Sequence, residues 1–323
     1  MFTRPLLPAH AWPLAALLVL AGCSRQHSNA SLGEAPDAGT ARLIGPDLGS
    51  PSGVLGRSRG ASFYPLAIGN EWRYTIRGRS TLITDAGAQP PEVVEFPWVV
   101  SITGMAVSQT RSYFLQQESD ARFAAPGPMF MLREDRSGLY LVDNVLTAQS
   151  GTRAIPSAAA QWRASVEPAI ANTAQAAAFA RAADVIATRL ELVFGGGMGR
   201  PGPGGGPDPG EISMLRYPLR PGAHWVVRDS PLFTRAVIGR ETVHLPAGVF
   251  DSWKLRGDSE LFGSTDRLHL WYGRAGLLRI RFHTEAEATD NAGNIVGHLL
   301  LDQDQVLTSL TLHSPNDPHT FGN

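Results

Sequence analysis

The sequence has few of the residue types on which disulfide-rich, metal-binding and nucleic-acid-binding proteins depend. Its 323 residues include one cysteine, Cys23, and one lysine, Lys254, beside 27 arginines. A single thiol excludes both a disulfide framework and a cluster of cysteine ligands around a metal. With 28 basic and 29 acidic side chains the net charge is −1, so no excess of positive charge predicts a nucleic-acid partner.

Long apolar runs are also missing. The run near the amino end, Leu14–Ala21, is much shorter than the about 20 residues that a membrane-spanning helix needs. One arginine, Arg4, precedes it, as is typical of a secretory signal. The sequence therefore predicts a signal peptide over residues 1–22.

Four residues at the end of that run, Leu20, Ala21, Gly22 and Cys23, resemble the lipobox of bacterial lipoproteins. The resemblance implies that Cys23 becomes the first mature residue and carries a diacylglycerol and an amide-linked acyl chain such as palmitate. It thus implies a chain of the cell envelope, held in a membrane by lipid. Ser24 in place of aspartate resembles an outer-membrane sorting signal. Ordinary secretion with an unmodified cysteine is the alternative.

Small and polar residues dominate the segment that follows, and it shows no apolar periodicity. We predict a lipidated, disordered tether over residues 23–60 and a disordered tail over 314–323. A flexible chain as long as the tether spans about 35 Å, from a scaling of about 5 to 6 Å times the square root of residue number. The folded body can therefore stand clear of the lipid headgroups.

Two nine-residue segments, 64–72 and 217–225, share tyrosine, proline, leucine, glycine and tryptophan at the same spacing. A strand-like stretch follows each, and each half later has a glycine followed by an apolar strand, at Gly138 and at Gly276. The match predicts two copies of one antiparallel meander, about 61–150 and 211–313. We expect them to share one core in a β-rich domain over 61–313, with two separate small domains as the alternative.

Composition and alternation support a mainly β fold. Glycine and proline are frequent, at 34 and 24 residues, which predicts many turns. Arg279, Arg281 and His283 alternate with apolar residues, as in a strand with one wet and one dry face. A turn at 290–294 and a return strand at 295–301 complete a predicted hairpin.

The segment between the two copies, 151–210, has a different pattern. Phe179, Ala183, Ile186 and Leu190 recur at helical spacing, which predicts one amphipathic helix beginning at Asn172 and ending near residue 187. Residues 188–194 alternate as in a strand. The segment 195–210 holds nine glycines and four prolines, so it is predicted to be an exposed loop.

The repeated element, together with the segments 245–250 and 271–277, resembles a broad group of uncharacterised bacterial lipoproteins. The resemblance covers about 63–303 and implies architecture, not chemistry. A looser likeness, at the level of the fold, is to periplasmic lipoprotein carriers whose curved sheet wraps helices around a cavity for acyl chains.

Candidate catalytic and metal-binding residues each have a simpler structural explanation. Ser58 lies in a nucleophile-elbow pattern but within the predicted tether, and Ser259 follows Gly-Asp at the end of a strand. Three histidines on predicted strands resemble a metal site only if neighbouring strands bring them together. The three histidines are His269, His283 and His298. We therefore expect no catalytic residue, no cofactor and no metal.

Three functions remain open at this point. The preferred one is a lipid-anchored, non-catalytic binding or envelope-assembly module that faces the periplasm or the outer surface and whose partner is an envelope protein or a small molecule. The second is a carrier or sensor of a lipid or other apolar molecule, with Trp72, Trp225 and Phe179 as candidate pocket residues between sheet and helix. The third is a serine hydrolase that uses Ser259 with a histidine such as His283.

Overall fold

The computed structural model describes residues 42–44, 62–108, 111–120, 129–142, 158–194 and 211–313. Cys23, the signal peptide, most of the tether, the loop 195–210 and the tail 314–323 lie outside these ranges, and the predictions made for them stay predictions. The prediction of a disordered tether over 23–60 needs correction at residues 42–44, which form a short strand paired with residues 105–107. The described residues from Ser62 to His313 belong to one compact unit.

The described chain forms fourteen strands and two helices. Their bounds, in chain order, are β1 Arg42–Ile44, β2 Glu71–Thr84, β3 Gly87–Ala88, β4 Glu92–Ser108, β5 Arg111–Asp120, β6 Met129–Glu134, β7 Gly138–Val142, α1 Ala158–Ala171, α2 Ala176–Phe194, β8 Glu211–Arg216, β9 His224–Asp229, β10 Leu232–Leu245, β11 Gly248–Ser259, β12 Arg267–Gly273, β13 Gly276–Thr289 and β14 Ile295–Thr311.

All strands join one antiparallel sheet, in the order β8-β7-β6-β5-β4-β2-β14-β13-β12-β11-β10-β9, with β1 beside β4 and β3 beside β2. Strands β2 and β4 to β8 form one meander and β9 to β14 form the other, so β8, which lies in the range predicted for the second copy, pairs with β7 of the first. The last strand of the second meander, β14, pairs with the first strand of the first, β2. The two ends of the sheet also meet, since Trp225 Nε1 of β9 donates to the Ser213 carbonyl of β8 at 3.0 Å. The predicted mainly β fold of two antiparallel meanders is confirmed.

The repeated sequence element makes the same backbone contacts in both copies. The amide of Gly69 donates to the Ile102 carbonyl at 2.8 Å, and the amide of Gly222 donates to the Val237 carbonyl at 2.9 Å. Both glycines have positive φ, +90° and +81°, which an L side chain adopts only with strain. In both copies a β-bulge immediately follows the accepting residue. The element therefore sets the turn that leads into the first strand of each meander.

The prediction of a single helix in the insert needs correction, because the structure has two. The predicted helix corresponds to α2, which begins at Ala176 after the Gln175 carbonyl accepts the amides of Ala178 and Phe179. It continues through 188–194, where alternation had indicated a strand. Leu190 is fully buried there and lies on the same buried face of α2 as Phe179 and Ile186. The helical spacing of apolar residues therefore continues beyond residue 187.

The second helix, α1, has a weaker pattern in the sequence. Trp162, Val166 and Ile170 recur every four residues and are buried, but Pro168 lies inside the helix and interrupts its propensity. Trp162 Nε1 donates to Ser80 Oγ of β2 at 2.7 Å, which fixes α1 against the sheet. Tertiary packing thus stabilises a helix that local propensity does not predict.

Both helices cover one face of the central strands, called the inner face here. The ring of Phe179 in α2 packs so closely on Gly297 of β14 that an added Cβ would lie 2.7 Å from it. Inner-face side chains of β13 and β14, such as Phe282 and Leu301, are almost completely buried. Neither described helix is long and apolar enough to cross a membrane. The opposite, outer face of the same strands carries polar and charged side chains.

Candidate functional site

The outer face of β2, β13, β12 and β11 carries seven arginines, and the outer face of β14 between β2 and β13 carries acidic residues. Alternation along β13 places Leu278 and Ile280 on the inner face and Arg279 and Arg281 on the outer face, which confirms the predicted wet and dry faces. Because successive side chains of a strand point to opposite faces, the pairing register then determines which charges become neighbours.

Two cross-strand rows bring these charges together. In the first row Asp304 of β14 lies between Arg281 of β13 and Arg77 of β2. In the second row Asp302 of β14 lies opposite Arg79 of β2 on one side and His283 of β13 on the other. These residues are far apart in the sequence, and the β14–β2 pairing between the two copies joins them.

A groove of about 370 Å³ lies over these rows. We call it the basic groove. Its lining includes five basic side chains and only two acidic ones, Asp302 and Asp304. The five basic residues are Arg77, Arg79, Lys254, Arg267 and Arg281.

Both acidic side chains of the basic groove already have close basic partners. Arg279 Nε donates to Asp304 Oδ1 at 2.8 Å, and His283 Nδ1 lies 2.7 Å from Asp302 Oδ1. In contrast, Arg79 and Arg281 form no ion pair with any carboxylate in the described ranges. Arg77 and Lys254 pair with Glu95 and Glu241 outside the lining, at 3.9 and 3.8 Å, whereas no described carboxylate neutralises Arg79 or Arg281.

The surplus of positive charge acts on the histidine at the edge of the groove. Burial is the largest cause that lowers the pKa of His269 below its ordinary value, and the charges of Lys254, Arg281 and Arg256 lower it further. The charge of Glu241 acts in the opposite direction without outweighing them. The His269 ring therefore stays neutral to lower pH than a free histidine, because burial first and the neighbouring cations second disfavour its charged form.

Trp271 forms a wall of the basic groove but does not offer a free ring face. Lys254 Nζ lies 5.0 Å and Arg279 Cζ 5.6 Å from the ring centroid, so cations cover the indole. Its Nε1 donates to Glu241 Oε1. The groove thus presents charge rather than an aromatic surface on which a ligand could stack.

The three residues predicted to line a pocket are buried in the core. Trp72 Nε1 donates to the Ala275 carbonyl at 2.6 Å, and Trp225 makes the contact with β8 given above. Phe179 is completely buried against β14. None of the three lines the basic groove or the second groove described below. Cys23, the predicted lipidation site, lies outside the described residues.

The residues considered for hydrolysis do not meet in the structure. Ser259 Oγ donates to the Leu232 carbonyl at 2.8 Å and accepts the Leu261 amide. By strand alternation Ser259 points to the inner face, whereas His283 points to the outer face. The two side chains therefore lie on opposite sides of the sheet.

The three histidines considered for metal binding share the outer face but have different neighbours. His269 lies opposite Arg281, His283 contacts Asp302, and His298 Nδ1 lies 2.8 Å from Glu285 Oε1. Across the part of the chain that the structure covers, no three His, Cys, Asp or Glu side chains are arranged to hold a metal ion.

A second polar feature lies on the inner face of β5, where sequence reasoning had identified nothing. Glu118 lies opposite the core residue Val100 and accepts a hydrogen bond from Gln116 Nε2 at 3.1 Å. Gln116 in turn accepts from the hydroxyl of Tyr64 at 2.8 Å. Burial raises the pKa of Glu118 to about 7, although hydrogen bonds from Gln116 and Trp98 lower it in part.

This raised pKa predicts a loss of stability with rising pH. The folded carboxyl keeps its proton up to about pH 7, whereas the unfolded one loses it near 4.5, so the folded state binds more protons in between. The free energy of unfolding should therefore fall by about 3 kcal/mol as pH rises through this range. Urea unfolding of the parent and of Glu118→Gln at several pH values measures the contribution of Glu118 to this pH dependence. If the free energies of unfolding of the two chains change with pH in parallel, the raised pKa of Glu118 is wrong.

Comparisons with known proteins give distant structural likenesses. No family model and no curated protein matches the chain. A protein from Bacteroides fragilis described as exported, with a YmcC-like fold, has 12% identity, covers 77% of this chain and 99% of its own, and has a TM-score of 0.29. A protein from Parabacteroides distasonis described as a lipoprotein has 10% identity, coverages of 77% and 98%, and a TM-score of 0.27. Because both TM-scores lie below 0.5, we base the function on this chain's own residues.

Proposed function

We propose that this chain is a lipid-anchored protein of the bacterial cell envelope that binds an anionic partner without transforming it. The observation that supports binding is the basic groove, where five basic side chains face two carboxylates that already have partners. The anchor is Cys23 with its acyl chains, palmitate among them. Because Ser24 follows the cysteine, we place the anchor in the outer membrane.

The chemistry of the groove selects phosphate or carboxylate groups. Guanidinium groups pair with both through parallel N–H donors, and no carboxylate of the described ranges occupies Arg79 or Arg281. Residues two apart on one strand lie about 6.5 to 7 Å apart, and neighbouring strands about 4.8 Å apart. Several acidic groups of one chain-like ligand can therefore be bound at once.

The shape of the groove favours a soluble polyanion over a bilayer. A concave site without an exposed apolar rim can enclose a chain but has nothing to insert between headgroups. Cations cover Trp271, the one tryptophan of its lining, so the site has no exposed apolar wedge to insert. We therefore propose an extended polyanion of the envelope as the partner.

Catalysis has no support in the residues that surround these sites. The Ser259 hydroxyl is bound to a backbone carbonyl, and His283 lies on the other side of the sheet. A nucleophile needs a base within hydrogen-bond reach, about 2.6 to 3.2 Å. A binding role requires no such pair, and we propose that the protein is not an enzyme.

Replacement of two arginines tests the proposal. The double variant Arg79→Gln and Arg281→Gln should bind inorganic polyphosphate and a polyuronate at least about a hundredfold more weakly than the parent, since each of the two lost charge-assisted hydrogen bonds contributes about 1.5 to 3 kcal/mol. Binding is measured by titration calorimetry at low salt and should weaken as salt is added.

Arg73→Gln serves as the matched control. Arg73 lies on the same strand, β2, but pairs with Glu71 and does not line the basic groove. The control should bind both polyanions as the parent does. Equal loss in control and double variant, or no measurable binding by the parent at low salt, would show that the groove is not the binding site.

A further inference from the structure

A second groove lies beside the β10–β11 hairpin, and we call it the hairpin groove. Its volume is about 430 Å³, and its lining combines apolar, aromatic and basic side chains. The residues on which the inference depends are Val249, Phe250, Trp253, Arg240 and Arg274.

Apolar side chains at this groove face solvent. Val249, just after the hairpin turn, is 63% exposed, and Phe250 beside it is only partly buried. Phe63, which precedes the first strand of the first meander, lines the same groove. Val249 is the most exposed of the large apolar side chains in the described ranges, and it differs from the others in lining a groove together with two partly buried rings.

Hydrogen-bond donors without acceptors lie beside these apolar groups. Trp253 Nε1 is buried and has no hydrogen-bond partner among the described atoms. The Arg240 guanidinium lies over the Trp253 ring, 4.9 Å from its centroid. Neither Arg240 nor Arg274 forms an ion pair within the described part of the chain, and the carboxylate of Asp251 accepts from Thr242 Oγ1 at 3.1 Å.

We propose that the hairpin groove binds the headgroup of an acidic phospholipid at a bilayer surface. The two guanidinium groups and the indole N–H supply donors for a phosphate. Val249 and Phe250 would then lie at the level where the headgroups meet the acyl chains, and tryptophan is favoured at that depth. An unsatisfied buried donor is costly, and a phosphate oxygen would remove that cost.

The apolar rim distinguishes this groove from the basic groove. A soluble polyanion leaves Val249 exposed to water, whereas a bilayer buries it. The relevance of the site rests on the proposed anchor at Cys23, because a flexible tether over residues 23–41, ahead of the paired strand Arg42–Ile44, would span about 24 Å and keep the bilayer within reach of the folded body. A weak second contact then strengthens attachment through high effective concentration.

The test uses the mature chain from Ser24 onward, produced without acyl groups, because it contains the whole compact unit. Flotation with vesicles of equimolar phosphatidylglycerol and phosphatidylcholine should recover the chain, and vesicles of phosphatidylcholine alone should not. Arg240→Gln and Arg274→Gln should each weaken binding about fivefold, the equivalent of about 1 kcal/mol per basic residue near an anionic surface. Trp253→Phe, which keeps a ring but removes the N–H donor, should weaken it further.

Matched controls separate this site from the rest of the surface. Arg256→Gln removes an exposed arginine of β11 outside the groove, and Ile238→Ser removes a 47% exposed apolar residue of β10 outside it. Both should bind vesicles as the parent does, and thermal unfolding should show that every variant is folded.

The outcomes also separate this inference from the proposed function. The double variant of Arg79 and Arg281 should lose polyphosphate binding and keep vesicle binding. The headgroup site is wrong if the parent does not bind acidic vesicles, if it binds neutral vesicles equally, or if only the basic-groove variant loses vesicle binding. Loss of polyphosphate binding in Arg240→Gln alone would instead contradict the assignment of the basic groove.

Discussion

Cys23→Ala is expected to abolish incorporation of labelled palmitate and to move most of the protein from the membrane fraction to the soluble fraction. Each buried methylene of an acyl chain contributes about 0.8 kcal/mol to membrane binding, so two or three chains hold a protein firmly and their loss removes nearly all of that affinity. Metabolic labelling with an alkyne analogue of palmitate, followed by fractionation, measures both effects.

Ser24→Ala is the control for this experiment, because it changes the neighbouring residue and keeps the thiol. It should be labelled and sedimented like the parent. If Cys23→Ala is still labelled, another residue carries the lipid. If it is unlabelled but stays with membranes through a salt wash, the uncleaved apolar segment 14–21 or another part of the chain binds the bilayer; release by salt would instead indicate the electrostatic contact proposed for the hairpin groove.

Arg189→Ala is expected to lower the free energy of unfolding by about 3 to 5 kcal/mol, because it leaves a buried carboxylate without its counter-charge. Arg189 of α2 lies 3.1 Å from Asp266, whose side chain is fully buried. The same guanidinium donates to Thr284 Oγ1 at 2.9 Å and to the carbonyls of Glu285 and Leu261. One side chain thus joins α2 to β13 and to the segment before β12.

Urea unfolding followed by tryptophan fluorescence measures the effect. Asp184→Ala is the matched control, since it breaks the ion pair with Arg163 between α1 and α2, where the aspartate is 69% exposed. An exposed pair contributes at most about 1 kcal/mol, so the control should stay close to the parent. Equal loss in the two variants would mean that the Arg189 network adds no more than a surface contact.

Sequence patterns predicted the strands better than the helices. The alternation along β13, its turn at 290–294 and the return strand each follow from side chains that point to opposite faces in turn. In α1, Pro168 and a run of alanines make the four-residue spacing of Trp162, Val166 and Ile170 hard to recognise in the sequence. Packing against β2 stabilises this helix. Local propensity is weaker than tertiary packing in such a segment.

The sequence showed the arginines of the basic groove only as separate residues on different predicted strands. Arg77 and Arg79 alternate along β2, and Arg281 alternates along β13, but 202 positions separate Arg79 from Arg281. Nothing in either strand indicates that β14 lies between them. Pairing of the last strand of one copy with the first strand of the other brings these arginines into one groove.

By itself, the sequence determined what depends on neighbouring residues: the signal peptide and lipobox pattern as predictions, the repeated turn at Gly69 and Gly222, and the face to which each strand residue points. The tertiary structure alone decided which strands pair, that two helices cover the inner face, and that unpaired arginines gather in the basic groove while Glu118 is desolvated. The physical reason is that electrostatic and packing energies depend on distances in space, and β-pairing makes residues far apart in the chain close neighbours.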